Sequence, residues 1–141
     1  MILIFLVNSL IVALVVSIHY EVLLKLSDWI PQLTIKHRQR IVLGVLGALF
    51  AHTLEIGIFA TAYYYMNGAE SWGYLEGSFN GSLVDCIYYS FTTYTTLGFG
   101  DIQPIGAIRF LTGIEALTGL VLITWTASFL FIEMQRYWKL K

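Results

Sequence analysis

Apolar residues gather along the chain in three long stretches, from Met1 to about Leu24, from Ile41 to about Met66 and from Ile108 to about Ile132. Crossing roughly 30 Å of hydrocarbon takes about 20 residues at 1.5 Å each, so each stretch predicts a membrane-spanning helix. The first has neither a basic n-region nor a small-residue cleavage site, which predicts a retained helix rather than a signal peptide. Between the second and third stretches lies a polar segment far longer than a turn needs. Gly68, Gly73, Gly77, Gly81 and Asn80 mark its first part as an irregular loop. Ser82, with Asp85 three residues on, then reads as a capped helix start. That helix, from about Leu83 to Tyr94, is too short to span. A short helix followed by glycine-broken backbone makes a re-entrant loop, tolerated in a membrane only where protein or water covers it. The expected fold is an all-α membrane protein with three transmembrane helices and a re-entrant helix and loop between the second and third.

Composition agrees, and charge adds an orientation. Only 12% of the residues are charged, against about 25% in soluble domains. A net charge of −1 argues against a nucleic-acid partner, and no phosphate-cradling glycine motif calls for a nucleotide. The single cysteine, Cys86, excludes an internal disulfide and a multi-cysteine zinc site, and reads as a small packed residue. With two prolines and no Ser/Gly-rich linker, there is room for one membrane domain, and no soluble regulatory domain is expected after residue 141. Lys25, Lys36, Arg38 and Arg40 cluster between the first two helices, and Arg136, Lys139 and Lys141 follow the third. The segment Asn67 to Ala107 has no Lys or Arg and carries Glu70, Glu76, Asp85 and Asp101. Basic loops stay cytoplasmic, so the N-terminus is expected outside and the C-terminus in the cytoplasm of a multi-pass protein of the plasma or inner membrane, in contact with its lipid. Tyr63, Tyr64, Tyr65, Trp29, Trp72 and Trp138 fit interfacial aromatic belts.

The polar segment also carries the run Thr95-Thr96-Leu97-Gly98-Phe99-Gly100-Asp101. The wider stretch from Cys86 to Asp101 resembles the pore helix and selectivity filter of the tetrameric potassium channel family, and the resemblance extends over about residues 41 to 137. It implies a pore module at 41–141 and leaves outside it an extra N-terminal helix and basic loop at 1–40. Within that module it implies an outer helix 41–66, turret 67–82, pore helix 83–95, filter 96–101 and inner helix 108–137. It implies a passive channel rather than an enzyme, with K+ as the transported ion and no cofactor. K+ sites would lie along Thr96, Leu97, Gly98, Phe99 and Gly100, with Asp101 at the outer mouth. Tyr88 and Tyr89 would form an aromatic cuff, with Thr92 and Thr95 also supporting the filter. Gly119, with Gly113 as the alternative, matches a gating hinge in the family; close helix packing is the other reading of Gly119.

The chemistry of that implied function suits these residues. Rings of backbone carbonyls can replace the hydration shell of K+ without a fixed charge that would hold the ion too tightly. Aiming successive carbonyls at one axis requires alternate residues at positive φ, which glycine adopts without a Cβ penalty; hence Gly98 and Gly100. Thr96 can add its hydroxyl at the inner end, while Leu97 and Phe99 are expected to point away and pack against the pore helix. One chain supplies one strand and a ring needs four, so a homotetramer is expected. Pore-helix C-termini aimed at the axis favour a waiting cation, and Asp101, Glu70 and Glu76 make the mouth acidic.

Three positions depart from the family pattern. Leu97 replaces a valine or isoleucine, and Phe99 replaces the commoner tyrosine and its hydroxyl. Thr92 stands where some members carry an acid bonded to the filter aspartate, so Asp101 is expected to be held less tightly. A poorly selective cation channel is therefore the nearest alternative, and a pore-loop subunit of a larger transporter a second.

Glu55 and Glu115 lie deep in the second and third helices, where ionisable groups face a partner or water. His52 and Glu55, three apart, share a helix face. They read either as a hydrogen-bonded pair between helices or as a pH-sensitive contact that biases gating. A distant alternative of another class is a small membrane metal-binding enzyme or carrier using His52 and Glu55 with His19, Glu21 or Glu115, although no His-x-x-x-His or repeated Glu-x-x-His spacing supports it. No helix carries the spaced arginines of a voltage sensor. Currents recorded from the protein should therefore open with weak voltage dependence; steep activation with several gating charges per subunit would contradict this.

Overall fold

The computed structural model describes residues 2–137; Met1 and 138–141, which include Trp138, Lys139 and Lys141, lie outside the described residues. Four helices account for most of the chain: α1 (Ile2–Trp29), α2 (His37–Met66), the short α3 (Leu83–Tyr94) and α4 (Ile108–Tyr137). Three of them are long and apolar enough to cross a membrane. The protein is an all-α membrane protein, with α3 entering between the second and third spans.

Two helices outrun their apolar stretches. α1 continues past Leu24 to Trp29, and α2 begins at His37 rather than Ile41. Lys25, Asp28, Arg38 and Arg40 are thereby wound into helix ends, because the hydrogen-bond ladder need not stop at the edge of the hydrocarbon. Pro31, which has no N–H to donate, sits in the 3-10 turn Ile30–Gln32 that closes α1. In the loop that follows, Arg40 Nη2 donates to the Leu33 carbonyl at 2.8 Å, and Gln39 accepts from the Lys36 N–H at 3.1 Å to start α2.

The turret is not wholly irregular. β1 (Tyr74–Gly77) pairs antiparallel with β2 (Ile102–Ile105), from Tyr74 opposite Ile105 to Gly77 opposite Ile102. The chain thus returns from the filter directly onto the turret. Gly77, at φ 104°, is required there, because a Cβ would strike the Asp101 carbonyl. The start of α3 is capped as its sequence predicts: Ser82 Oγ accepts from the Asp85 N–H at 3.1 Å, and Asp85 in turn accepts from the Asn80 N–H at 2.8 Å.

A single core joins all four helices, with Phe59, Tyr63, Tyr94, Ile108, Leu111 and Leu122 among its fully buried members. Cys86 is buried in it. α1 packs on its own chain, against α2 and α4, through a stripe of Ile4, Asn8, Val15, His19 and Leu23 on one helix face. Its other faces expose Leu3, Leu6, Leu10 and Leu14, a surface suited to lipid rather than water.

Candidate functional site

The segment after α3 has the backbone that a carbonyl filter requires. Positive φ recurs at every second residue: Thr96 at 59°, Gly98 at 51° and Gly100 at 80°. Thr96 is the only non-glycine residue with positive φ among those described, a conformation that costs about 1–2 kcal/mol for an L-residue. The end of α3 holds it there: the Thr96 N–H donates to the Thr93 carbonyl at 2.9 Å, and the Gly98 N–H to the Thr92 carbonyl at 3.0 Å. Thr95 Oγ1 donates back to the Phe91 carbonyl at 2.7 Å.

Of the two side chains expected to pack against α3, Phe99 reaches it, and both stay largely exposed. Leu97 and Phe99 are 60% and 64% exposed, and the Phe99 ring stacks on that of Tyr88 at 6.5 Å and 6°. One chain does not contain enough wall to cover them. Every residue from Thr95 to Asp101 is exposed, which leaves the strand supported from behind and open in front.

Asp101 is held, contrary to expectation, at both its ends. The Tyr88 hydroxyl donates to Asp101 Oδ2 at 2.8 Å, and the Asp101 carbonyl accepts from the Ser78 N–H at 2.8 Å. Thr92 takes no part; its hydroxyl turns back to the Tyr89 carbonyl at 2.9 Å. The contact comes from one helical turn earlier, where an aromatic with a hydroxyl can reach across. That bond raises the Tyr88 phenol above its usual range, so the donor keeps its proton. Tyr89 faces the other way, bonded to Thr112 Oγ1 at 3.0 Å and edge-on to Tyr63 at 4.9 Å. Glu70 and Glu76 are exposed in the turret. Arg109, overlooked in the charge pattern, lies at the same end of α4 and lines a cleft with Gly98 and Gly100.

Behind the filter, two buried carboxylates clamp α3. Glu55 Oε1 lies 2.8 Å from His19 Nδ1; its Oε2 lies 3.0 Å from His52 Nδ1 and accepts the Tyr94 hydroxyl. Thr126 Oγ1, on α4, is 3.0 Å from His52 Nε2. Glu115 accepts from Ser90 Oγ at 2.5 Å on one oxygen and from the Tyr63 hydroxyl at 2.5 Å on the other. Tyr63 is therefore no interfacial residue; it is fully buried, whereas Tyr65 is 76% exposed. The expected pairing of His52 with Glu55 is present. Of the other proposed ligands, His19 joins them, while Glu21 is exposed on α1 and Glu115 sits in its own cluster.

α4 runs unbroken through both candidate hinge glycines. A Cβ on Gly119 would collide with the Tyr94 carbonyl, whereas Gly113 has open space around it. Gly119 is the place where the end of α3 rests on α4.

A family model described as ion channel matches residues 51–136, more than half of the chain, and the protein belongs to that family. The match takes in α3, the residues from Thr95 to Asp101, both carboxylates and nearly all of α4, and leaves α1 outside. Comparison with curated proteins and with solved structures gave no match.

Two expectations follow for stability in detergent. Gly119→Ala should destabilise the fold by about 1–3 kcal/mol through overpacking, with Gly113→Ala close to neutral; equal effects would return Gly119 to the hinge reading. Tyr63→Phe, which leaves a buried Glu115 oxygen unpaired, should cost about 1–3 kcal/mol, and Tyr65→Phe close to nothing. Thermal or denaturant unfolding followed by circular dichroism would measure all four.

Proposed function

We propose that the chain is one subunit of a homotetrameric, passive potassium channel. What supports this most is the alternation of left-handed φ at Thr96, Gly98 and Gly100 within an exposed strand braced by α3. Four such strands about an axis would present rings of carbonyls from Thr96, Leu97, Gly98 and Phe99, with Gly100 at the outer end, as replacements for the hydration shell of K+. Neighbouring subunits would cover Leu97 and Phe99, which a single chain leaves bare. The Thr96 hydroxyl would add an oxygen at the inner entrance, where the C-terminal end of α3 favours a cation.

The ion would enter from a cavity below Thr96 and lose its water ring by ring. It would leave past Asp101, driven by its gradient and by repulsion from the ion behind. No bond is made or broken. The basic residues where α1 ends and α2 begins (Lys25, Lys36, Arg38 and Arg40) support a cytoplasmic position for that end and an external position for the filter mouth. Glu70, Glu76 and Asp101 outnumber Arg109 there and would concentrate cations.

The test is the reversal potential of the purified protein in planar bilayers, with potassium on one side and sodium on the other. A reversal near the potassium equilibrium value is expected, blocked by barium and lost in Gly98→Ala. Gly98 has open space around it, so alanine would act there through backbone conformation rather than collision. A reversal near zero with sizeable current would identify a poorly selective cation channel instead.

A further inference from the structure

His19, His52 and Glu55 bring two imidazole nitrogens and a carboxylate oxygen within 4.8 Å of one another. His19 and Glu55 are fully buried and His52 is 14% exposed. The conduction path uses none of the three, and His19 comes from the helix that the family match leaves out. We propose that these residues form an intramembrane binding site for a zinc-class divalent transition-metal ion. The site stands whether or not the filter selects potassium.

The donor set and its surroundings both suit such an ion. Two imidazoles and one carboxylate are a zinc-type set, whereas Ca2+ and Mg2+ take oxygen ligands. A tetrahedral ion with bonds of about 2.0–2.1 Å separates its ligand atoms by about 3.3 Å. Glu55 Oε1 is 2.8 Å from His19 Nδ1, Oε2 is 3.0 Å from His52 Nδ1, and one ligand atom from each residue can be chosen with all three within 4.8 Å, so side-chain adjustments of about an ångström would close them on the ion. Binding through Nδ1 needs each ring as the neutral Nε2–H tautomer. One hydroxyl stands ready to accept both N–H groups: Thr126 Oγ1 is 3.0 Å from His52 Nε2 and 3.4 Å from His19 Nε2. Metal-bound histidines are oriented by such outer contacts at the second ring nitrogen. The Tyr94 hydroxyl fixes the carboxylate in the same way. A fourth ligand, water, can come from the adjoining cleft, which His52, Tyr94 and Thr126 line. The hydrogen bonds between the histidines and Glu55 are then the ion-free form of the same site. Occupancy would fasten α1 to α2 beside Tyr94, the last residue of the pore helix.

The full-length protein in detergent, stripped with chelator, should bind one Co2+ per chain with the intense visible bands of tetrahedral cobalt. Zn2+ should displace it and Mg2+ should not. His19→Gln should weaken Co2+ binding by at least about 100-fold, beyond the 10–100-fold typical of an outer contact, which is the loss expected for Thr126→Val. His37→Gln, at the exposed start of α2, should change nothing. Should His19→Gln fail to fold, His19→Cys keeps a ligand and should add a thiolate-to-cobalt band absent from the wild type. No tetrahedral cobalt in the folded wild type, or binding indifferent to His19, or a His19→Cys protein without the new band, would overturn the site.

Discussion

A helix that stops inside a membrane leaves its last carbonyls without partners and its sides without solvent, and the whole structure answers that constraint. α3 is held by polar contacts at two levels. Ser90, midway along it, bonds to Glu115 on α4, and Tyr94, at its end, bonds to Glu55 on α2. Each carboxylate takes a second hydroxyl or imidazole from another helix, so neither is left with a bare oxygen in an apolar core. The spare carbonyls of Thr92 and Thr93 accept from Gly98 and Thr96, so the end of the helix becomes the mould for the backbone that follows it. The absence of a side chain at Gly119 lets α4 lie against that end. Take away the seating of α3 and the left-handed Thr96 has nothing to offset its strain.

The outer end of the same strand is fixed by different means. Beyond Gly100 the chain pairs with the turret in the β1–β2 ribbon, and Asp101 is bonded through its side chain to Tyr88 and through its carbonyl to Ser78. The β1–β2 ribbon, α3 and Asp101 are therefore one mechanical unit, and a displacement of β1 would be felt at Asp101. Among the described residues the front of the strand stays exposed.

Much of this was legible in the sequence because it is local. Apolar length marked the three spans, Ser82 with Asp85 marked the start of α3, and Gly98 and Gly100 marked the left-handed turns that follow it. What was missed depends on contacts between distant positions. Tyr63 looked like one of three belt tyrosines, and only the approach of α4 turns it inward to Glu115. The strands of the ribbon have four residues each, one of them Pro104, and have no alternating pattern strong enough to outweigh the glycines around them. Positive φ at Thr96 has no signature in the residue type. With threonine rather than an acid at position 92, Asp101 looked loosely held, but a tyrosine one turn earlier holds it.

α1 shows what a polar contact does between membrane helices. Lipid tails are as apolar as leucine, so burying Val15 or Leu23 against α2 gains little over leaving it in lipid, and close packing must supply most of the association. A single interhelical hydrogen bond adds about 0.6 kcal/mol on average and up to about 1.7. That is too little to hold a helix but enough to choose among rotations that pack almost equally well. His19 makes that choice: only one face of α1 can bring its ring to Glu55, and the same rotation lays the buried stripe Ile4, Asn8, Val15, His19 and Leu23 against the rest of the chain. Because Glu55 also accepts Tyr94, the residue that sets the register of α1 lies two hydrogen bonds from the end of the pore helix. A helix serving only as an anchor would gain nothing from burying a histidine there, so α1 is built into the same core as α2, α3 and α4 rather than appended to it.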